Sequence, residues 1–551
     1  MLTSYSLFDH DRRNKRLQQL HNEKRRQSGI EFPKPGNQQH LLVIRLDLAS
    51  PPPATPRSVP SSHFSAAHSS LGKTKDALRS EVQRGLKRLC TLFEQIDIGK
   101  KKIDKLDKDG KLIRVPLSDF EFSATIGFGI GFFDKLSVPD DKRPKKIKSI
   151  PDHFGLGDVT PYSLAQTDLI IQLGSSSDIV NRWVFENKLE SQKEKHDDDR
   201  SKLNKNKDKQ EGVDSPDIVT AIGGWATITD IHTGFQRIDG RNLMGFNDGL
   251  SNPRPGSGYK FDNVVWTTDK DEGPILKDGT YLVFQKIEHD LDQWRGLSSE
   301  EQEEWVGRNK VTGLLLGTPE NEDKKFIEAL KNDDQKAKEK LRKLLNDQSD
   351  PERPFYDSEE FKNNVPAWSH VRKANPRQEK LPNGKRIEKK LIFRRGYIFS
   401  ETSLNNRAIS GLLFVSFQRD IENSFEFIKK NWLNNKNFPA EEQRPFTKHE
   451  LSERHSQGRF SLRELAQIRF DLSKKQLLGL DDEYVLMDKL EEIKDRDTQN
   501  TGKEGLAGPS ELGVIPTGEF LTIVPFGGGY YFIPPIPNRS IANIGQQFFE
   551  K

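Results

Sequence analysis

One cysteine, Cys90, stands in 551 residues. That excludes an intramolecular disulfide and any zinc or iron–sulfur site built on several thiolates. No run of about 18 apolar residues occurs, so no membrane-spanning helix is expected. The N-terminus has an Arg pair, Arg12 and Arg13, but no apolar stretch follows it, so no secretory signal is read there. With the scarcity of cysteine, this makes the expected location cytoplasmic. Charge of one sign is missing too. The 87 basic residues are set against 83 acidic ones, a net +4, which gives no case for nucleic acid as a partner. Motifs are absent as well: no GxxxxGK[ST] phosphate loop, no GxSxG nucleophile elbow and no HExxH. GFGIG at 127–131 does not complete GxGxxG.

Charged residues make up 31% of the chain and hydrophobic ones 33%. This suits folded segments diluted by charge-rich insertions, and the length allows about three or four domains. Residues 1–38 read as a basic, polar extension, helical or loose. The span 49–70, rich in Pro, Ser and His, reads as loop. Residues 99–114 are a Lys/Asp-rich excursion. The span 188–214 reads as a solvated insertion, and 319–353 as a second one, helical around 322–346. Self-association through these insertions stands as one alternative to a plain solvated surface. Residues 436–515 are polar and carry no clear pattern.

Between these lie ordered elements. Strands are expected at 41–48, 120–126, 167–173 and 224–230, with helices at 74–96 and 175–190. Leu78, Val82, Leu86, Leu89 and Phe93 give the first helix its apolar stripe, and Cys90 on that helix reads as core. A second set follows: strands at 279–287, 390–394, 411–417 and 519–526, and helices at 298–306 and 420–433. Ser298 opens the 298–306 helix ahead of an acidic first turn. Residues 527–535 read as turn-rich. The two sets match in order, which indicates a duplicated α+β unit with antiparallel sheets.

Chemistry concentrates at three places. The stretch Gly234–Pro253, GFQRIDGRNLMGFNDGLSNP, holds four glycines and follows neither a helical nor a strand period. It reads as an ordered loop in which Asp248 is either aimed at a ligand or left as a solvated turn residue. His370, in VPAWSHVRKANPR, lies beside Trp368 and ahead of a basic cluster, Arg372, Lys373 and Arg377. It is either a structural histidine or a metal ligand. FRRGYIF at 393–399 ends a β-like run with Arg394 and Arg395.

Taken together these motifs resemble the dye-decolourising (DyP-type) haem peroxidases. Gly245-Phe246-Asn247-Asp248-Gly249 matches the family's GxxDG, SHVRKANPR its proximal-histidine segment and FRRGYIF its distal-arginine segment. TIGFGIGFFD, GTYLVFQKI, WVGRNK, GLLFVSFQRDIENSFEFI and GGGYYFIPP match more weakly, so the resemblance spans roughly 40–535. Many members carry a Pro soon after the Gly of the third motif, where this chain has Tyr397 and Ile398.

The resemblance implies two ferredoxin-like domains, 39–245 and 246–540, with haem b, one per chain, in the second. His370 would be the iron ligand, Asp248 the distal acid/base and Arg394 the distal cation. Arg308 would meet a haem propionate, Leu412 and Phe414 would pack on the distal face, and Gly249 would lie beside the cofactor. Hydrogen peroxide would be reduced and bulky aromatic donors such as dyes and phenols oxidised. An acid/base carboxylate in that role implies an acidic optimum. Trp368 is a candidate electron relay or a simple packing residue. A haem carrier, a sensor and an iron-releasing deferrochelatase are the alternative functions.

Overall fold

A computed structural model describes residues 25–33, 36–49, 64–106, 112–151, 165–186, 217–255, 259–289, 291–354, 356, 358–367, 369–380, 384–402, 408–433, 438 and 523–550. The 188–214 insertion, Trp368 and nearly all of 436–515 lie outside the described residues.

The first half contributes four strands: β1 (His40–Leu48), β4 (Ser123–Phe128), β5 (Leu169–Ser175) and β6 (Ala226–Phe235). The second contributes β7 (Thr280–His289), β9 (Tyr397–Thr402), β10 (Ala408–Gln418) and β11 (Ile523–Ile533), with a two-residue β8 (Phe393–Arg394). The sheet order is β7-β11-β4-β5-β1-β6-β9-β10-β8, and β7 also pairs with β10, which closes the sheet into a ring. Within each half the first strand lies between the third and the fourth, the order produced when a β-α-β-β-α-β unit folds on itself. All pairings are antiparallel. One residue pair joins the halves at each seam, Phe235 with Ile398 and Phe532 with Phe128.

Strand alternation sorts the apolar residues into two layers. Leu41, Val43, Ile170, Leu282, Phe284, Leu413, Val415, Phe417 and Tyr531 pack together where the two halves face each other. On the first half, Leu42, Ile44, Leu46 and Leu48 pack outward against Val82, Leu86, Leu89 and Phe93 of helix α1 (Phe64–Asp97). Cys90 is buried there, and burial pushes its thiol pKa up. Helix α2 (Asp178–Glu186) lies within the span expected of it.

Several expectations need correction. Helix α1 starts at Phe64, inside the span read as loop, because the last proline of that span is Pro60 and serine and histidine do not break a helix. The 99–114 excursion forms a hairpin, β2 (Lys102–Leu106) with β3 (Leu112–Pro116). The turn-rich 527–535 continues β11, since its glycines suit close backbone contact: a Cβ on Gly528 would lie 1.9 Å from the Phe284 carbonyl oxygen. Part of the N-terminal extension is built in, with Gln27, Ile30, Glu31 and Gln38 buried. The helix expected at 420–433 takes the wide π form, over Glu422–Glu426 and Ile428–Leu433. The expected strand at 390–394 shortens to β8.

Helix α3 (Ser299–Val306) starts on a capping box between Ser298 and Glu301, as its sequence indicates. Beyond it, 319–353 folds as two helices, α4 (Glu320–Lys331) and α5 (Gln335–Gln348). They bury Phe326 and Leu341 against Leu314, so this insertion is more than solvated surface. Among the described residues no helix is long and apolar enough to cross a membrane.

Candidate active site

Register places the first side chains. Arg394 on β8 sits opposite Ser416 on β10. Opposite residues share a sheet face, and so do residues two apart along a strand. Arg394, Leu412 and Phe414 therefore project from one face, the outer face of the second half. Leu412 and Phe414 are only half-buried there, whereas Leu413 and Val415 between and beside them are buried on the opposite face. Leu412 pairs with Ile398 of β9, and a Cβ added at Gly396 would stand 3.0 Å from Leu412 Cδ1. The Phe414 ring lies 5.8 Å from that of Phe425.

The glycine-rich loop leads from β6 to this face. Gly245 and Gly249 both have φ in the left-handed region, at 91° and 73°, which glycine adopts without strain. The loop is knitted internally: the Asp248 N–H donates to the Gly240 carbonyl at 2.9 Å, and Asn242 Oδ1 accepts from the Phe246 N–H. Asp248 is exposed and its Oδ1 accepts the Gly249 N–H at 2.7 Å. An added Cβ on Gly249 would meet nothing within 4 Å, so this residue borders open space. Loop and strand are then tied together. Arg394 Nη2 donates to the Leu250 carbonyl at 2.8 Å, and Asn252 bridges the Arg394 backbone by both its amide oxygen and nitrogen. Burial lowers the Arg394 pKa, opposed by the negative charge of Asp248.

His370 opens the short helix α6 (His370–Ala374). Its surface is exposed, yet burial holds its pKa down at about 4, helped by the positive charges of Arg394 and Arg308. Both hold for a ring on the wall of a concave recess. Among the described residues none hydrogen-bonds to its ring. Behind it, Val371 joins Leu315, Tyr356 and Val365 in an apolar cluster, and the α6 residue Arg372 pairs with Glu379 at 2.6 Å, both buried.

Arg308 follows α3. It is buried and donates to neutral acceptors, the Gly313 carbonyl at 2.8 Å and Ser251 Oγ at 3.0 Å. Burial, then the charges of Arg377 and Arg394, push its pKa down to about 9. Arg377 also donates to Ser251 Oγ, and to the carbonyls of Gln348 and Asp350. Sequence reading left Arg377 in a basic cluster without a role. Its place is set by backbone carbonyls at the end of the 319–353 insertion, contacts that no local pattern reveals. The structure thus brings His370 and Arg308 within electrostatic reach of Arg394, and Arg394 within reach of Asp248, with Leu412 and Phe414 on the face that carries Arg394.

These groups fit a haem. A neutral imidazole is the form that ligates iron. Arg308, a buried cation whose pKa is lowered by burial and then by the charges of Arg377 and Arg394, is positioned for a carboxylate of a ligand to neutralise. Leu412 and Phe414 supply apolar surface for a flat ring.

A closed antiparallel ring of two similar halves, with a histidine, a carboxylate and arginines gathered on the second half, defines a class of two-domain α+β proteins. The models for "Dyp-type peroxidase, N-terminal" and "Dyp-type peroxidase, C-terminal" match residues 59–195 and 239–453, and the chain belongs to the Dyp-type peroxidase family. It is 30% identical over 191 residues to deferrochelatase of Escherichia coli (strain K12), a match covering 34% of this chain and only 37% of that protein. Among solved structures, the DyP-type peroxidase from Cellulomonas bogoriensis is 17% identical, with a TM-score of 0.49 over 96% of this chain and 97% of that one. A variant of DypB from Rhodococcus jostii, in complex with heme, is 16% identical, with a TM-score of 0.43 over 92% and 96%.

Proposed function

We propose that this protein is a haem b peroxidase, one haem per chain, that reduces hydrogen peroxide and oxidises bulky aromatic donors such as dyes and phenols. The observation that carries the reading is the convergence of a neutral His370 with the cations of Arg394 and Arg308 on one recess. Haem, when bound, supplies the redox chemistry. His370 would hold it from one side, Arg308 would bind a propionate, and Leu412, Phe414 and Gly249 would border the ring.

Asp248 then takes the proton that peroxide must lose and returns it to the oxygen that leaves as water. Its exposure at the loop tip suits a group that must meet an incoming molecule. Arg394 stabilises negative charge as the O–O bond breaks, a task for a fixed cation with several N–H donors. The apolar pair would restrict entry to small molecules, and bulky donors would then act from outside the recess.

A second reading, iron release from haem, is supported by the name of the curated relatives, deferrochelatase. Two measurements separate the readings. The purified protein should show a Soret band that disappears in His370→Ala. Peroxide-dependent dye oxidation should fall in both Asp248→Asn and Arg394→Leu. Unchanged rates in both variants would refute the catalytic assignment, and metal-free protoporphyrin accumulating in their place would favour iron release.

A further inference from the structure

A second cavity lies away from the recess, where the start of the described chain meets its end. Its volume is about 590 Å³, within the range of small-molecule sites. Pro274, Ile275 and Pro537 supply an apolar wall, and Ile275 is 39% exposed, high for a large aliphatic residue. Arg25 and Arg539 also line it. Among the described residues neither guanidinium makes a hydrogen bond or an ion pair. Arg539 is presented by a turn in which it and Asn538 both take left-handed φ, at 56° and 50°, a conformation that bulky side chains adopt only under constraint.

Gln547 lines the same cavity and is 5% exposed. Both its amide nitrogen and its amide oxygen lack a partner. A buried carboxamide with neither atom paired is costly, and native structures rarely keep one without a use for it. The acidic lining is unequal. Asp278 is engaged by Arg26 Nε at 3.1 Å, whereas Glu550 is exposed.

We propose that this cavity binds a small carboxylic acid that also carries a hydroxyl or amino donor. Arg25 and Arg539 take the carboxylate, for which a guanidinium fork is shaped. Gln547 and Glu550 take the donor, and the carbon skeleton lies on the proline–isoleucine wall. A compact dianion such as phosphate is disfavoured, because Glu550 repels it and the apolar wall gains nothing from it.

Calorimetric titration of the full-length holoprotein with 4-hydroxybenzoate tests this. Saturable binding is expected, at least tenfold weaker in the Arg25→Gln/Arg539→Gln double variant and weaker in Gln547→Leu. 4-Hydroxybenzamide, which lacks the carboxylate, should bind at least tenfold more weakly, and so should inorganic phosphate. Arg539 is exposed and Arg25 half-buried with a guanidinium unpaired among the described residues, so their variant keeps the test valid if Gln547→Leu fails to fold. Arg394→Leu should leave the titration unchanged. The proposal is overturned by an absence of saturable binding, by equal binding of acid and amide, by phosphate binding as tightly as the acid, or by affinity that survives in the double variant. Binding lost in Arg394→Leu would place the acid in the recess and overturn the proposal while leaving the peroxidase reading intact.

Discussion

Two adjacent arginines show how much a single register position decides. Arg394 and Arg395 follow one another, so their side chains leave the sheet on opposite faces. Arg395 is buried and donates to the carbonyls of Ile30 and Pro33 at 2.7 and 2.8 Å and to Gln38 Oε1 at 2.7 Å. It anchors the strand end and pins the N-terminal segment. Arg394 faces the recess instead, held by Leu250 and Asn252. Removing one preorganised donor of this kind costs about 10²–10³ in turnover. Arg394→Leu should therefore lose about that much kcat while keeping its Soret band, and Arg394→Lys, which retains the charge but not the planar fork, should fall between. Stopped-flow kinetics with excess peroxide reads this directly. A kcat in Arg394→Leu within a factor of two of the parent would remove Arg394 from the chemistry.

At the level of elements, the helix pair at 320–348 shows a segment whose sequence misleads. Its charge density hides a structural task. Gln348, at the end of α5, is 2% exposed. Its Oε1 accepts the Leu315 N–H at 2.7 Å, its Nε2 donates to Thr318 Oγ1 at 3.0 Å, and its carbonyl accepts from Arg377 at 2.9 Å. Gln348→Ala would strand a buried backbone donor, a loss of about 1–3 kcal/mol. The unfolding midpoint in urea should drop accordingly, and a midpoint equal to that of the parent would show that the insertion is not wired to the frame. Elsewhere local pattern sufficed. Strands β1, β7 and β10 follow apolar runs, α1 carries its stripe from Leu78 to Phe93, and the Ser298 cap marks α3, because in each the local signal and the tertiary demand agree. The glycine-rich second part of β11, beyond the strand expected at 519–526, was hidden for the opposite reason. Its glycines look like turn residues until Phe284 is seen against Gly528. Asp248, His370, Arg308 and Arg394 were singled out by the resemblance of their segments to a known family, not by composition or period, and their roles belong to the proposal. Arg377 was not, since its partners are main-chain carbonyls distant in sequence.

For the whole molecule, the contact between the two halves carries its own titration. His232 on β6 pairs in register with Val43, which faces the interior, and its ring lies 5.6 Å from that of Phe284 on β7, in the other half. It is buried, and its Nε2 has no partner. Burial, then the charges of Lys286 and Arg45, push its pKa down from 6.5 to about 3. Arg45 is itself paired with Asp230 at 2.9 Å. His289, at the end of β7, is lowered by burial to about 4. An unfolded chain protonates such histidines below about 6.5, and the folded one does so only near 3 to 4. Between those limits unfolding takes up protons, so stability falls as pH falls. Each histidine contributes up to about 1.4 kcal/mol per pH unit in that window and nothing above it. Thermal unfolding should therefore be flat with pH from 8 down to about 6.5 and decline from there to pH 5. His370 is lowered in the same way, so His232→Leu removes one of three such histidines while keeping the interior apolar, and its decline over the same interval should be shallower by about that amount per unit. Parallel Tm curves for parent and variant would mean that the halves meet without a cost in protons at His232.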